Sequence, residues 1–171
     1  ISAQVTERML DTLDDVTTGK DALIAADFGY GLFGPELVSG LNQIVQSHEL
    51  SYYIDVSSGG ASNLLSFESP TAAFPSEEEL RFAFGDQESG LSHLAVKYFD
   101  ETNAENLILT LGNQGAVVFY PPSGDVGERA SPTEYLPALR QHSVDPVGAG
   151  DIFLSGYVGL NLCQSEVASS M

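Results

Sequence analysis

Residues 148–151, Gly-Ala-Gly-Asp, place bare backbone and a carboxylate at the start of an apolar, helix-like segment. Glycine costs roughly 1 kcal/mol relative to alanine inside a helix, so its presence here suggests a need for exposed backbone. The first turn of a helix carries unpaired N–H groups and partial positive charge, which bind anions. We therefore interpret Gly148, Ala149 and Gly150 as an anion hole for a transferring phosphoryl group. Asp151 would then be the base that accepts the proton of the attacking hydroxyl.

A structural interpretation of the same turn stands beside this one. An aspartate in the first turn of a helix complements the helix dipole whether or not a ligand binds. Short glycine motifs are weak evidence when taken alone. The four residues by themselves support both interpretations equally, so the surrounding elements and the longer motif have to decide.

Apolar runs alternate along the chain with segments of helical periodicity, which predicts an open α/β domain with a mostly parallel sheet. In such folds, ligands bind beyond the carboxyl ends of the strands. Four residues fall at predicted strand ends: Asp27, Asp55, Thr110 and Gly112. For Asp27 the alternative interpretation is that it only ends its strand. Strands are predicted at 22–28, 51–57, 106–112 and 115–120, helices from Pro35, at 77–84, at 89–99 and from 149 to about Leu162, and a turn-rich surface excursion at 121–137.

The composition limits the classes of function. Six Lys plus Arg against 24 Asp plus Glu give the 171 residues a net charge of −18, which argues against binding to nucleic acid or to an anionic membrane surface. The chain has no apolar run of 18 residues, so no membrane span is expected. Cys163 is the only cysteine, which excludes an internal disulfide and a thiolate metal cluster and favours a cytoplasmic protein.

Four segments together resemble the ribokinase (PfkB) family of carbohydrate kinases. The string VDPVGAGD at 144–151 resembles its D-x-x-G-A-G-D signature, and LILTLGNQGAVVF at 107–119 resembles its T-x-G-x-x-G strand-turn-strand. AAFPSEEELRFAFGD at 72–86 lies where the family has P-N-x-x-E, and ADFGYGLF at 26–33 resembles D-Y/F-x-x-G. The resemblance covers roughly residues 20–162 and is most similar to the heptose-7-phosphate kinase branch.

The resemblance implies a ribokinase-like fold, an open and mostly parallel sheet with helices on both faces. It also implies transfer of the γ-phosphoryl of ATP to a hydroxyl of a sugar or sugar phosphate. In that reaction residues 148–150 are the anion hole and Asp151 is the catalytic base. The residues that would lie against ATP are Thr110, Gly112 and Gly115. The alternative interpretation of Thr110 is an ordinary β-branched strand residue.

Metal sites are likewise implied by the resemblance. Glu79 would act on Mg²⁺ through water, with Ser76 replacing the asparagine of the nucleotide and magnesium motif. Asp145 and the carbonyl of Val147 would border a monovalent-cation site for K⁺. Ser76-x-x-Glu79 is also a capping box that would begin a helix. Tyr30 stands where heptose kinases often have lysine, a second departure from the family pattern.

The resemblance places residues 1–171 in the C-terminal, nucleotide-binding and catalytic part of such a kinase, without the N-terminal sugar-binding half and lid. Two functions follow as hypotheses. The chain is either the catalytic part of an ATP-dependent sugar kinase or a non-catalytic, kinase-like binding and assembly subunit. Under the second hypothesis a protein partner or further copies of the chain would complete the fold.

Overall fold

The computed structural model describes residues 1–57, 61–122, 131–138 and 148–169. The helices are α1 Ala3–Thr17, α2 Pro35–His48, α3 Glu77–Phe84, α4 Leu91–Thr102 and α5 Ala149–Ser169, with short 3-10 turns at Ala61–Ser66 and Gly112–Gln114. The strands are β1 Ala22–Asp27, β2 Ser51–Val56, β3 Ala72–Ala73, β4 Leu107–Thr110, β5 Gly115–Phe119 and β6 Thr133–Pro137.

The strands form one sheet in the order β1-β2-β3-β4-β5-β6. β1 to β4 are parallel to one another, whereas β5 runs antiparallel to β4 and β6 runs antiparallel to β5. The mostly parallel sheet predicted from the sequence is thus confirmed. Because β1 to β4 share one direction, their carboxyl ends meet at a single edge of the sheet.

Side chains that alternate along the strands divide the core into two clusters. On one face, Ile54 packs with residues of α2, α3 and α4, among them Leu80 and Leu94. On the other face, Tyr53 packs with Leu154 and other residues of α5. Helices therefore cover both faces, as the resemblance implied, and α5 alone among the described helices supplies buried residues to the second cluster.

Two elements differ from the sequence-based expectations. α1 was not predicted; it packs on α2, and Gly40 permits close approach because a Cβ there would collide with the Leu10 side chain. The surface excursion expected over 121–137 was wrong for its last five residues, which form β6. β6 is largely exposed and carries little burial pattern, so its pairing with β5 depends on tertiary context more than on the sequence pattern.

No helix within the described ranges is both long enough and apolar enough to span a bilayer.

Candidate functional site

The N-terminus of α5 presents backbone at the carboxyl edge of the sheet. Gly148 has φ of +78°, a conformation that favours glycine, and its carbonyl accepts the Ile152 N–H at 3.0 Å. The helix begins at Ala149. Ala149 and Gly150 are exposed, and a Cβ added at Gly150 would meet no atom within 4 Å. The turn therefore leaves room for a ligand to approach its backbone.

Asp151 lies beside this turn. Its side chain is exposed in the first turn of α5, and its Oδ2 is 4.0 Å from the position that a Cβ on Gly148 would occupy. The structure thus brings together the carboxylate and the glycines that the sequence predicted as base and anion hole. It does so with both groups open to solvent.

Asp55 is a further carboxylate at this edge, and the sequence analysis identified it only as a residue at a predicted strand end. It is half-buried and is the penultimate residue of β2. Its neighbours Ile54 and Val56 face the cluster formed with α2, α3 and α4, so Asp55 faces the other side of the sheet, where α5 lies. Burial, followed by the charges of Glu79 and Asp151, raises the pKa of the Asp55 carboxyl to about 6. Glu79 of α3 and Asp151 of α5 are therefore each within electrostatic reach of the Asp55 carboxylate.

Glu79 is held in place by the capping box that begins α3. The Ser76 N–H donates to Glu79 Oε2 at 2.7 Å, and the Glu79 N–H donates to Ser76 Oγ at 3.3 Å. The capping-box interpretation of these two residues is confirmed. It engages one carboxylate oxygen of Glu79 and leaves the side chain half-buried at the edge.

Thr110 lies next to this helix start. Its N–H donates to the Pro75 carbonyl at 2.9 Å, and residues 76 and 110 form an isolated parallel bridge. The end of β4 is thereby tied to the N-terminus of α3. The same contacts place Thr110 close to Ser76. The family resemblance implied a nucleotide-binding role for both residues.

The turn from β4 to β5 brings Gly112 and Gly115 to the same edge. The Leu111 N–H donates to the Gly115 carbonyl at 2.8 Å, and the Gln114 N–H donates to the Leu111 carbonyl at 3.1 Å. Gly112 has φ of +59° and Gly115 has φ of +104°, so both use conformations that favour glycine. Residues 112–114 are exposed, which leaves this backbone accessible beyond the strand ends.

Asp27 has a structural role at the end of β1. Its carboxylate is buried and accepts hydrogen bonds from the Gly29 N–H at 2.8 Å and from Asn63 Nδ2 at 2.7 Å. Asn63 Nδ2 also donates to the Phe33 carbonyl at 2.9 Å. These bonds secure the loop that follows β1.

The donor chemistry at this edge suits a hydrated Mg²⁺. Mg²⁺ prefers oxygen ligands and keeps several of its waters, so it needs only one or two carboxylates. Glu79, Asp55 and Asp151 supply carboxylates, and none of the ion pairs found among the described residues neutralises them. In the same part of the chain no group of three or more acidic, His or Cys side chains forms a dedicated metal cage. Asp145 and Val147, predicted to border a K⁺ site, lie outside the described residues.

Comparisons with known proteins agree with this architecture. A family model for the pfkB family carbohydrate kinases matches residues 33–161 of the 171. The Bifunctional protein HldE of Trichlorobacter lovleyi is 22% identical over 158 residues, which cover 91% of this chain and 30% of that protein.

Two solved structures of phosphofructokinase-2 from Escherichia coli share the fold. The complex with substrates and products has a TM-score of 0.71 at 17% identity and is matched over 96% of this chain and 51% of its own. The complex with potassium has a TM-score of 0.68 at 17% identity, over 88% and 47% respectively. The chain thus spans about half the length of these structures and less than a third of the curated relative.

Proposed function

The chain belongs to the pfkB family of carbohydrate kinases, and from this we propose that it supplies the C-terminal, nucleotide-binding and catalytic part of an ATP-dependent sugar kinase. The observation that carries the proposal is the exposed Asp151 carboxylate beside the glycine turn that begins α5. A heptose-phosphate-like acceptor is the finer proposal. It is supported by the motif resemblance and by the similarity to HldE.

Asp151 would act on the acceptor hydroxyl. As the hydroxyl oxygen forms its bond to the γ-phosphorus of ATP, the bond from that phosphorus to the ADP oxygen breaks, and the hydroxyl proton passes to Asp151. The backbone N–H groups of residues 148–150 would donate to the phosphoryl oxygens, whose charge the partial positive end of α5 also stabilises. Asp151 and the anion hole come from one helix turn, so the two functions stay in a fixed relative position.

Glu79 and Asp55 would hold Mg²⁺, mainly through its water ligands, and the 110–115 segment would contact the nucleotide. When bound, Mg²⁺ supplies positive charge against the triphosphate, which matters in a chain with few Lys and Arg. The capping box fixes the position and orientation of the Glu79 carboxylate. Ser76 occupies the asparagine position of the family motif, but its hydroxyl is engaged as a helix cap.

A K⁺ site at Asp145 and Val147 also stays a proposal. Its support is the motif resemblance, together with the fold shared with a phosphofructokinase-2 determined in complex with potassium. A bound K⁺ would lie close to the anion hole along the chain, because Val147 directly precedes Gly148.

The test combines Asp151→Asn with binding and turnover measurements. We expect calorimetric titration to show Mg²⁺-dependent ATP binding to the wild-type chain and to the variant alike. Turnover should be measured in the complete kinase of which this chain would be a part. There, formation of ADP with sugar and sugar-phosphate acceptors should fall by about 10²- to 10⁴-fold in the variant, because a general base contributes on that scale. Asp11→Asn, an exposed carboxylate on α1, is the matched control and should retain turnover. Unchanged turnover in Asp151→Asn would contradict the assignment of the base.

A non-catalytic binding or assembly subunit is the second candidate, favoured by apolar side chains on uncovered surfaces. Ile24 is 44% exposed on β1, the terminal strand of the described sheet, and Ile152 and Leu160 are exposed on the outer face of α5. Unpaired strand edges and contiguous apolar surface bind other polypeptides. This candidate predicts a stable complex without ATP turnover. Sugar-dependent ADP formation that Asp151→Asn abolishes would rule it out.

A further inference from the structure

Tyr135 on β6 reaches the turn between β4 and β5. In the register of the two strands it lies opposite Val117, two residues beyond Gly115. Its hydroxyl nevertheless donates to the Gln114 carbonyl at 2.6 Å, so the side chain extends along the strand toward the turn. Tyr135 is 58% exposed, which means that burial in the core does not account for its position.

The backbone of β6 lies against the same turn. Gly115 pairs with Pro137 in the register, and a Cβ on Gly115 would collide with the Leu136 carbonyl oxygen and with backbone atoms of residues 137 and 138. The backbone of β6 therefore supports the turn at Gly115. The Tyr135 side chain holds the preceding residue, Gln114, by a hydrogen bond to its carbonyl.

The rest of the turn has little burial to hold its shape. Residues 112–114 are exposed, and a Cβ added at Gly112 would meet no atom within 4 Å. The turn's own bonds are short-range: the Gln114 N–H donates to the Leu111 carbonyl and the Gly115 N–H donates to the Gly112 carbonyl. The hydrogen bond from Tyr135 is thus a long-range side-chain restraint on the exposed part of the turn.

We propose that Tyr135 is a positioning residue for the nucleotide, acting through the Gln114 carbonyl on the 112–115 turn. This inference rests on the proposed function, in which that turn contacts ATP. Removing the hydroxyl should loosen the turn and weaken ATP binding by about two- to tenfold, the range expected for one neutral hydrogen bond. The turnover number at saturating ATP should stay unchanged, because saturation offsets the weaker affinity and the Tyr135 hydroxyl bonds to the Gln114 carbonyl.

Tyr135→Phe is the test, and Tyr120→Phe is its matched control. Tyr120 follows β5 and donates to Glu134 Oε2 at 3.2 Å, so each variant removes one hydroxyl that makes one hydrogen bond at the same pair of strands. We expect weaker Mg²⁺–ATP binding by calorimetry for Tyr135→Phe alone. Amide hydrogen exchange at Gln114 and Gly115 should also be faster in Tyr135→Phe and unchanged in Tyr120→Phe.

The possible results separate this inference from the proposed function. If the wild-type chain binds no ATP, the proposed function fails and the inference fails with it. If the wild type binds ATP and Tyr135→Phe binds it equally well, the inference alone is overturned. Equal weakening in both tyrosine variants would also overturn it, because the effect would then belong to the strand pair and not to the turn.

Discussion

Gly115 and Gly150 both belong to glycine-containing turns at the carboxyl edge of the sheet, but their surroundings differ. A Cβ on Gly115 would collide with the backbone of β6, and its φ of +104° excludes most other residues. A Cβ on Gly150 would meet no atom within 4 Å. Gly150 lies inside α5, where glycine is an unfavourable residue. Gly115 is thus explained by packing, whereas no packing contact among the described residues explains Gly150.

The two turns also differ in how the fold holds them. The 112–115 turn is fixed by β6, through Tyr135 and through backbone contact at Gly115. The turn that begins α5 is described from Gly148 onward. Its contacts are local: the Gly148 carbonyl accepts the Ile152 N–H, and the Asp151 side chain lies beside Gly148. Substitutions should therefore damage stability at the first turn and activity at the second.

Gly115→Ala gives the largest expected effect on stability. The methyl group would collide with backbone atoms that cannot turn aside, and the residue would have to hold an unfavourable φ. We expect a loss of about 3–5 kcal/mol in the free energy of unfolding, measured by urea denaturation. Gly112→Ala, which has a positive φ but open space, should lose only about 1–2 kcal/mol. Equal losses in the two variants would show that backbone strain, and not contact with β6, distinguishes Gly115.

Gly150→Ala should reverse this pattern. Alanine is the better helix former by roughly 1 kcal/mol, so stability should stay the same or rise slightly. Under the proposed function, sugar-dependent ADP formation should fall by about tenfold or more, because the methyl group would displace the phosphoryl from the backbone N–H groups. Gly156→Ala in the same helix also has open space around the added methyl group and should leave turnover unchanged. If Gly150→Ala keeps full turnover as well, bare backbone is not what this position provides.

The pH dependence of stability tests the carboxylates next to the turn that begins α5. The pKa of Asp55 is raised to about 6, above the value of about 3.9 in an unfolded chain, so the folded state binds its proton more tightly. Its contribution to stability is therefore complete below about pH 4 and is lost as the pH rises through 6. We expect urea denaturation across pH 4–7 to show this decline in the wild type and a flatter profile in Asp55→Asn.

Asp151→Asn connects this measurement to the glycine turn that begins α5. Because the charge of Asp151 helps to raise the pKa of Asp55, its removal should move the decline toward lower pH. Identical profiles in the wild type and Asp151→Asn would mean that the two carboxylates do not interact in solution, and would weaken the case for a shared site.

The sequence was most informative where short-range physics decides the structure. The apolar periodicity predicted β1, β2, α2 and α4 to within a few residues, and Ser76-x-x-Glu79 predicted its capping box. A capping box needs only residues three apart, and a buried parallel strand needs only an apolar run.

Long-range contacts account for what the sequence did not predict. β6 is largely exposed, so no burial pattern marks it in the sequence, and its pairing with β5 defines it as a strand. The pKa of Asp55 depends on charges from α3 and α5, more than 20 residues away along the chain. Tyr135 received no role because its partner, the Gln114 carbonyl, is a backbone atom that no side-chain motif can indicate.

The outer edge of β1 has a consequence for how copies of this chain behave in concentrated solution. Residues 22–26 contain no charge and no proline, the usual devices that stop one strand from adding to another. Copies of the chain with a net charge of −18 should repel one another, and that repulsion is screened beyond about 10 Å in 0.1 M salt and about 3 Å in 1 M salt. Aggregation of the protein should therefore increase with ionic strength, because charge repulsion takes the place of a charged residue or proline on the edge of β1.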